Sequence, residues 1–491
     1  MKLRLFFIGW MIFCSISIAQ ARPPVRHHFP SSSAIYNDKM LAKEINRILE
    51  EVRPHATVGI RVKSMRNGKV IYSKNEHQLL MPASILKILT AEAALLYLGP
   101  EYRFSTDFLT DAKSMTHGTV HGNLYLVHSG DPSLTYYDLT DLMATLKSQQ
   151  IHTVTGNVYI DTTAYDQVQY GPGWVWDDTR YCYAAPISAS IIDHNCLPLK
   201  IVPAKAIGKA ANIIPNPRYY YSGIENGVIT RGSHSPTCYI HLGVSDKNMI
   251  SISGCMPKGH YSRGVSTVIT NVSEYDKNLV KNLFNRFGIQ VEGTVLLGAA
   301  SKPTLSPIAS HASKPLHHLI TDMLKKSDNI IAGSLFKKIG ELYTHQPGSW
   351  KNGSLAVKDI LFKQAAINST QMNIIDGSGL SRDNLITPAQ MMQVLDFAYH
   401  NDKTNYEFIS ALPIAGVDGT LKRRLSNIPR KVRAKTGTMS GVVSLAGYAL
   451  SKNKESLAFV IIFNDQNGNG WKYRELEDKI VTALTHYSHV N

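Results

Sequence analysis

The sequence predicts an α/β protein in which the two ends of the chain form one domain, interrupted by strand-rich inserts. Three observations lead to this prediction. Helical spacing and strand-like alternation occur together at both ends of the chain. The long region between them is rich in short strands bounded by turn residues. A weak repeat occurs three times in that region, with its third copy far from the second, which indicates a further nested segment.

The chain has 491 residues, enough for two to four domains at roughly 100–200 residues each. A short basic start precedes an almost wholly apolar run from Leu5 to Ile18, and the residues ending at Ala21 fit a small-x-small cleavage pattern. A membrane anchor is the alternative, but the run is shorter than the ~20 residues that a span needs. We therefore expect a signal peptide at 1–21 and a mature protein in the periplasm.

The first domain is expected to contain residues 22–98 and 306–491. Near its start, residues 38–53 have helical spacing, and Asn67-Gly68 predicts a hairpin between two strands. Pro82 then opens a helix that runs to about Leu98. This helix is apolar nearly all round, which is typical of a helix that is buried on most sides.

The C-terminal half of this domain repeats the same alternation of elements. Helical spacing is present at 316–326 and again at 330–339. Adjacent antiparallel strands are expected at 442–450 and 457–463. A last helix, at about 475–486, has one apolar face, which we expect to pack on those strands.

The inserted β-rich domain is expected at 99–196 and 271–305, with a second nested insert at 197–270. The three copies of the repeat start at Val120, Val154 and Val291, and each has glycine two positions later, followed by a short strand. We interpret the copies as related strands of one sheet domain. The pattern is short, so chance similarity is the alternative.

The first motif with chemical meaning is Ser84-Ile-Leu-Lys87, in the first turn of the buried helix. Lys87 lies on the same helix face as Ser84, and the helix N-terminus favours negative charge developing nearby. A serine hydroxyl becomes a good nucleophile only when a base takes its proton, and lysine can do so only as a neutral amine. The spacing also occurs at Ser334 and Ser451, and the alternative is a helix cap with a solvated lysine.

Two further motifs supply partners for this pair. In Ser327-Asp-Asn329, Ser327 is a candidate for a proton relay and Asn329 for holding a substrate amide, although a helix cap is the alternative. Lys435-Thr436-Gly437 occurs once. Lys435 would supply a second positive charge, and Gly437 would let a substrate backbone lie close. Thr436 would donate to a substrate carboxylate, and the backbone amides of Ser84 and Thr438 would form an oxyanion hole. An ordinary strand-end turn is the alternative.

The three motifs, in this order, match the set found in penicillin-binding proteins and class A β-lactamases. With its long insert between Ser84 and Ser327, the chain resembles the class C low-molecular-mass penicillin-binding proteins, the D-Ala-D-Ala carboxypeptidase/endopeptidase family. The resemblance spans nearly the whole mature chain. Further segments that carry it are Ser129-Gly-Asp-Pro-Ser133, Gly173-Trp-Val-Trp-Asp-Asp178, Asp376-Gly-Ser-Gly-Leu-Ser381 and Leu412-Pro-Ile-Ala-Gly-Val-Asp-Gly419.

The resemblance implies a β-lactamase/transpeptidase-like catalytic domain with two nested, strand-rich inserted domains. It implies a penicillin-sensitive serine D-Ala-D-Ala carboxypeptidase and D,D-endopeptidase that acts on peptidoglycan peptides. Ser84 would form the acyl-enzyme with Lys87 as base, and no cofactor is expected. Asp178, or its neighbour Asp177, would bind the free amine of diaminopimelate. A solvated loop carboxylate is the alternative for this pair.

Four cysteines remain after the expected cleavage. An even number in an exported chain favours disulfides, and the local spacing favours the pairs Cys182–Cys196 and Cys238–Cys255. Free buried thiols are the alternative. Zinc ligands would need closer Cys or His spacing, and none of the 19 histidines forms a His-Glu-x-x-His motif, so we expect no metal site.

The net charge of +15 favours anionic partners in general, among them cell-wall polymer and anionic lipid. A loose association with a membrane surface stays open. Basic runs with interleaved aromatic residues are absent from the sequence, so we expect no nucleic-acid partner. The oligomeric state is not determined by these features.

Two other functions stay open. A serine β-lactamase is one, although the Glu-x-x-Leu-Asn loop of class A enzymes is missing from the sequence. A catalytically silent scaffold that binds cell wall is the other, and the intact set of three motifs argues against it.

Overall fold

A computed structural model of the chain describes residues 36–51, 56–232, 238–259, 261–300, 304–465 and 470–488. The expected signal peptide, 1–21, lies outside these residues. Helices and strands both occur throughout, which confirms the predicted α/β class. The α-helices are α1 Asp38–Glu50, α2 Lys87–Leu98, α3 Tyr136–Ser148, α4 Val272–Arg286, α5 Leu316–Lys326, α6 Asn329–Thr344, α7 Trp350–Ala365, α8 Pro388–His400, α9 Asn405–Ala411 and α10 Gly470–Thr485.

The strands form five sheets of three to five strands each. In chain order they are β1 Thr57–Ser64, β2 Val70–Lys74, β3 Ser105–Thr110, β4 Met115–Thr116, β5 Thr119–Val120, β6 Leu124–His128, β7 Thr153–Val154, β8 Val158–Asp161, β9 Cys196–Val202, β10 Asn212–Pro215, β11 Gly223–Arg231, β12 Ile240–Val244, β13 Met249–Pro257, β14 Arg263–Val268, β15 Gln290–Val291, β16 Val295–Leu297, β17 Ser306–Ala312, β18 Val432–Met439, β19 Val442–Leu450 and β20 Ser456–Asn464. Across the described ranges, no helix is both long and apolar enough to cross a bilayer.

One five-stranded sheet, in the order β18-β19-β20-β1-β2, joins the two ends of the chain. β20 pairs antiparallel with β1 on one side and with β19 on the other. Its side chains alternate between two cores, as expected for a buried strand. Phe459, Ile461 and Phe463 pack with α1 and α10, whereas Val460 and Ile462 pack with α2 and its neighbouring helices.

Helix α2 lies at the centre of the second core. Its residues from Lys87 to Leu95 are all buried, in agreement with the apolar character that the sequence shows on every side. The first turn is a 3₁₀ helix, Ala83–Leu86, and α2 begins only at Lys87. Gly99 adopts a positive φ of 81° and ends the helix. A helix held on all sides gives its first turn a fixed position.

The three copies of the repeat stack in the same register, which confirms that they are related strands. They occupy two sheets and not one: β5, β7 and β15 pair in parallel in one sheet, and β6, β8 and β16 do so in the other. Between the sheets, the Gly156 amide donates to the Gly122 carbonyl at 3.0 Å and the Gly293 amide to the Gly156 carbonyl at 3.2 Å. A Cβ atom on Gly156 would lie 2.6 Å from the Gly122 carbonyl oxygen, so each copy needs glycine at this point.

The expected boundary at 305/306 needs a correction. β17, which starts at Ser306, pairs antiparallel with β3 and is an edge strand of the inserted sheet β16-β8-β6-β3-β17. We therefore expect the insert to extend to Ala312, because β17 hydrogen-bonds with this sheet and not with the five-stranded sheet that joins the two ends of the chain. The inserted region also contains two long helices, α3 and α4, which the description as strand-rich did not include.

Two disulfides lie near and within the nested segment. Cys182 is joined to Cys196 at the start of β9, and Cys238 is joined to Cys255 on β13. The Cα atoms of the two pairs are 5.6 Å and 5.0 Å apart. The first disulfide ties the loop that follows residue 181 to the sheet β10-β9-β14.

A buried carboxylate on α4 is expected to make stability depend on pH. Burial raises the pKa of Asp276 from 3.8 to about 7, although the nearby Ser190 hydroxyl opposes the shift. Between about pH 4 and pH 7, the folded state therefore holds a proton on Asp276 that the unfolded state has released. The free energy of unfolding falls as pH rises through this range. Asp276→Asn should raise the thermal midpoint at pH 8 relative to the wild type, with the advantage shrinking towards pH 4.

The measurement is a series of thermal unfolding curves between pH 4 and pH 9. Asp402→Asn, at an exposed carboxylate, is the matched control and should follow the wild type. Parallel curves for the Asp276→Asn variant and the wild type would contradict the prediction.

Candidate active site

Three segments from distant parts of the chain meet around Ser84. The 3₁₀ turn Ala83–Leu86 carries the serine, α5 and α6 meet at Ser327, and β18 runs alongside the turn. Ser84, Ser327 and Thr438 line a cavity of about 350 Å³. The structure thus brings the three sequence motifs together at one cavity.

Lys87 is completely buried beside the serine. Its Nζ lies 3.0 Å from the Ser84 Oγ, 2.6 Å from the Asn329 Oδ1 and 2.6 Å from the Ser378 carbonyl oxygen. Burial lowers the pKa of Lys87 to about 7, while the charges of Asp376 and Asp328 oppose the shift. Near neutral pH, a substantial fraction of this amine can therefore accept a proton from Ser84.

The Ser-Asp-Asn motif joins two helices at the cavity. Ser327 ends α5 in a left-handed conformation, with φ of 60°. Asp328 caps α6 and accepts hydrogen bonds from the Ile330 and Ile331 amides, each at 2.9 Å. The helix-cap interpretation of the motif is therefore satisfied by Asp328, which leaves the side chains of Ser327 and Asn329 to line the cavity.

Lys435 is the second buried lysine of the site. Its Nζ donates to the Ser327 Oγ at 2.8 Å and to the Thr436 carbonyl at 2.6 Å. Burial and the charge of Lys87 hold its pKa well below the usual value for lysine. Ser84, Lys87, Ser327 and Lys435 thus form two hydroxyl–amine pairs on one side of the cavity.

Strand β18 approaches the nucleophile closely because of Gly437. A Cβ atom there would lie 2.1 Å from the Ser444 Oγ and 3.0 Å from the Ser84 backbone nitrogen. Any larger residue would push the strand away from the amide of Ser84.

Thr438 lines the cavity, but Thr436 is not among the described residues that line it. The Thr436 hydroxyl instead donates to the Thr420 hydroxyl at 2.8 Å, and this placement differs from the expected carboxylate contact.

The two candidate acidic residues are separated by the structure. Asp178 lines the cavity and accepts a hydrogen bond from the Tyr183 hydroxyl at 2.7 Å. Asp177 is exposed and forms an ion pair with Arg180. Tyr183 also accepts a hydrogen bond through its backbone carbonyl from the Asn329 side chain at 2.8 Å. The loop that carries Asp178 is therefore attached directly to α6.

Asp376 organises the far wall of the cavity, a role that the sequence did not predict. It is completely buried, and its carboxylate accepts hydrogen bonds from the Ser378 and Gly379 amides, the Asn384 side chain and the Trp174 indole. This network holds the Ser378 carbonyl against Lys87. The available signal was an acidic residue before Gly-Ser-Gly, which is typical of a turn in which a carboxylate accepts backbone amides.

Gly379 explains why this loop can lie against the nucleophile. It has a φ of 82°, and a Cβ atom there would lie 1.9 Å from the Ala83 carbonyl oxygen. In the same wall, Arg382 lines the cavity and donates to the Ser440 carbonyl at 2.9 Å. The loop thereby bridges the serine turn and the end of β18.

Within the described ranges, no group of three or more His, Cys, Asp or Glu side chains is arranged to hold a metal ion.

Comparisons with known proteins identify the family of the chain. The model of the D-Ala-D-Ala carboxypeptidase 3 (S13) family matches residues 41–487. The D-alanyl-D-alanine carboxypeptidase DacB of Haemophilus influenzae is 33% identical over 444 residues, covering 89% of this chain and 91% of that protein. The D-alanyl-D-alanine carboxypeptidase of an Actinomadura species is 30% identical over 464 residues, covering 91% and 85%.

A solved structure gives the same result. The crystal structure of penicillin binding protein 4 from Haemophilus influenzae matches with a TM-score of 0.82 and 32% identity, covering 90% of this chain and 99% of that chain. A second structure of that protein, in complex with a β-lactam, matches with a TM-score of 0.77 and 30% identity over the same shares of the two chains. The resemblance inferred from the motifs is confirmed, and the chain belongs to the D-Ala-D-Ala carboxypeptidase 3 (S13) family.

Proposed function

We propose that Ser84 is the acyl-forming nucleophile of a D-Ala-D-Ala carboxypeptidase and D,D-endopeptidase that acts on peptidoglycan peptides and is inhibited by β-lactams. Membership in the family makes the chain a hydrolase of the carboxypeptidase type. The observation that carries the residue assignment is the 3.0 Å distance between the Ser84 Oγ and the buried Lys87 Nζ. The endopeptidase activity is part of the proposal because cleavage of a D-Ala cross-link uses the same acyl transfer.

The first chemical step is attack by the Ser84 Oγ on the carbonyl carbon between two D-alanines. Lys87 takes the hydroxyl proton, and the carbonyl oxygen becomes negative as the tetrahedral intermediate forms. The backbone amides of Ser84 and Thr438 stabilise that oxygen. The C–N bond then breaks, and the departing amine takes up the proton, which leaves the shortened peptide as an ester on Ser84.

Ser327 and Lys435 suit the proton transfer and the recognition of the substrate terminus. Their hydrogen bond of 2.8 Å forms a relay next to Lys87. A substrate carboxylate near Lys435 would restore the proton affinity that burial removes, since an opposite charge favours the protonated amine. Thr436 would have to leave Thr420 to donate to that carboxylate. Water then hydrolyses the ester and regenerates Ser84.

The position of the chain in the cell belongs to the same proposal. The basic and apolar start and the small residues that end at Ala21 support export, and peptidoglycan lies outside the cytoplasmic membrane. We therefore place the mature enzyme in the periplasm. The catalytic domain would consist of residues 22–98 and 313–491, with the inserted domain at 99–196 and 271–312 and the nested segment at 197–270.

The proposed function is tested with purified muropeptides and product masses. Incubation of the mature protein with a pentapeptide monomer should release one D-alanine, and incubation with a cross-linked dimer should give monomers. Boiled protein and protein pretreated with penicillin are the controls. Rapid hydrolysis of penicillin without cleavage of either peptide would instead identify a β-lactamase, and binding without any turnover would identify a scaffold.

A separate prediction concerns the recognition of diaminopimelate by Asp178. Because Asp178 lines the cavity and Asp177 does not, Asp178→Asn should reduce kcat/KM on diaminopimelate peptides by about tenfold, the loss of one charge pair. Asp177→Asn should leave it nearly unchanged, and the double variant should match Asp178→Asn. The rate of acylation by a penicillin that lacks the amine should be similar in all of them.

The comparison of the two substrates decides the outcome. Equal losses on peptide and penicillin would show that Asp178 supports the structure of the loop through Tyr183. A loss confined to the Asp177→Asn variant would assign recognition to the exposed carboxylate.

A further inference from the structure

A second cavity, of about 650 Å³, lies next to the catalytic cavity. The two share the short helix Trp176–Arg180: Asp178 lines the catalytic cavity, whereas Trp176 and Thr179 line the second one. A 3₁₀ helix of five residues is only about 10 Å long. A chain-like ligand that is bound at Ser84 and passes Asp178 therefore reaches the second cavity within a few chemical units.

The second cavity offers neutral hydrogen-bonding groups. Gln167, Gln169 and Asn271 contribute side-chain amides, and Thr179 and Thr270 contribute hydroxyl oxygens, whose protons are already donated to backbone carbonyls. The amides can donate and accept hydrogen bonds and the hydroxyl oxygens can accept them, so these groups match ligands that are rich in hydroxyl and amide groups. Neutral polar groups around an apolar surface are the usual composition of a site for an uncharged small ligand.

An aromatic ring is exposed at the rim of the same cavity. Trp176 is 82% exposed, although large apolar side chains are normally buried. Tyr170, which also lines the cavity, is half-buried and packs edge-on against Trp174. An exposed indole beside hydrogen-bonding groups is suited to a flat ligand that has one apolar face and polar edges.

The charges of the cavity do not suit a peptide that carries carboxylates. Arg180 and Asp246 are the charged residues in the described lining, and they have opposite signs. Arg180 is already paired with Asp177. No surplus of positive charge is therefore present to receive the acidic groups of a stem peptide.

We propose that this second cavity binds the glycan part of the peptidoglycan substrate, with an N-acetylated amino sugar stacked on Trp176. The inference rests on the proposed function, since it assigns a place to the sugar that is covalently linked to the peptide bound at Ser84. Sugar rings have apolar C–H faces that stack on an indole. Their hydroxyl and acetamido groups pair with the amides of Gln167 and Gln169.

The inference also gives the nested segment a role in catalysis. β12 supplies Leu242, Gly243 and Val244 to the cavity wall. β12 pairs with β13, whose Cys255 is linked to Cys238 just before β12. The second disulfide thus anchors the wall that faces Trp176. The nested segment would then select substrates that carry a glycan.

The test compares two substrates that carry the same pentapeptide, one free and one linked to the disaccharide. Wild-type protein should have a kcat/KM about tenfold higher on the linked substrate, the value expected for one well-stacked ring. Trp176→Ala should bring this ratio close to one without changing the rate on the free pentapeptide, and Trp176→Phe should retain part of the preference. Tyr261→Ala, at a 95% exposed tyrosine outside the cavity lining, is the matched control and should behave as wild type.

Direct binding separates this inference from the proposed function. Chitotetraose, a neutral tetramer of N-acetylglucosamine, is titrated calorimetrically into Ser84→Ala protein and into the Ser84→Ala, Trp176→Ala double variant. We expect binding that the second change weakens about tenfold. Absence of sugar binding would overturn the inference even if the protein cleaves the pentapeptides. Sugar binding that Trp176→Ala weakens would support the inference even if neither pentapeptide is cleaved. Equal losses on the free and linked pentapeptides in Trp176→Ala would place peptide, not glycan, in the cavity and would overturn the inference.

Discussion

Replacing Ser84 by alanine is expected to abolish penicillin labelling and peptide hydrolysis together. Both reactions need the same ester bond to the serine oxygen, and among the described residues Ser84 is the one cavity hydroxyl within hydrogen-bonding distance of Lys87. A penicillin keeps its leaving group attached after the ring opens, so the acyl-enzyme of the unaltered protein persists. Mass spectrometry should detect one added penicillin on the wild type, located on the peptide that contains Ser84, and none on the variant.

Two other serines with the same spacing provide the control. Ser334 is completely buried in α6 and donates to the Gly130 carbonyl, and Ser451 donates to the Asn453 side chain. Neither is among the residues that line the catalytic cavity. Ser451→Ala should be labelled as wild type is. Label on the peptide of Ser334 or Ser451 would show that the nucleophile is assigned wrongly.

Replacing Lys87 by alanine should slow acylation by about 10²–10⁴-fold, the usual value of general-base assistance. In the intact protein, the acylation rate should rise with pH through about 7, because only the neutral amine can take the serine proton and burial brings the pKa of Lys87 to about 7. The rate of labelling by a chromogenic or fluorescent penicillin, measured from pH 5 to pH 9, gives this profile.

Two variants should affect that profile differently. Asp376→Asn removes a negative charge that raises the pKa of Lys87, so the rise should occur at lower pH. Lys435→Ala should leave the pH of the rise nearly unchanged and weaken the binding of carboxylate substrates, because the pKa of Lys435 lies well below its usual value and the pKa of Lys87 is set by burial, Asp376 and Asp328. Lys454→Ala, at an exposed lysine, is the control. A rise that begins only near pH 10, or wild-type acylation rates in Lys87→Ala, would contradict the assignment.

The sequence was sufficient for features that depend on local pattern. The apolar residues on every side of α2 predicted its burial, and the strands β19 and β20 lie where their apolar runs predicted. The repeat predicted that its three copies are related, because a glycine was needed wherever one copy stacks on the next. These predictions succeed since each depends on a few consecutive residues.

Features that depend on contacts between distant residues were missed. The role of Asp376 arises only when its loop packs on Ala83, and the turn of Thr436 towards Thr420 depends on a neighbouring segment. The assignment of β17 to the insert follows from pairing with β3, which no local pattern reveals. Helix α4 is different, because the helical spacing of Tyr275, Leu279 and Leu283 is a local pattern that the sequence itself contains.

The pairing of β1 with β20 has a consequence for the order of folding. Thr57 and Asp465, whose side chains hydrogen-bond, are 408 positions apart, so the catalytic sheet closes a very long loop. Contacts of such high contact order form slowly, and synthesis proceeds from the N-terminus. The inserted sheets are complete by residue 312, whereas β18, with Lys435, is made much later. A nascent chain therefore carries Ser84 and Lys87 before β18 is made, and we expect the hydrolase to become active only after its last three strands have been synthesised.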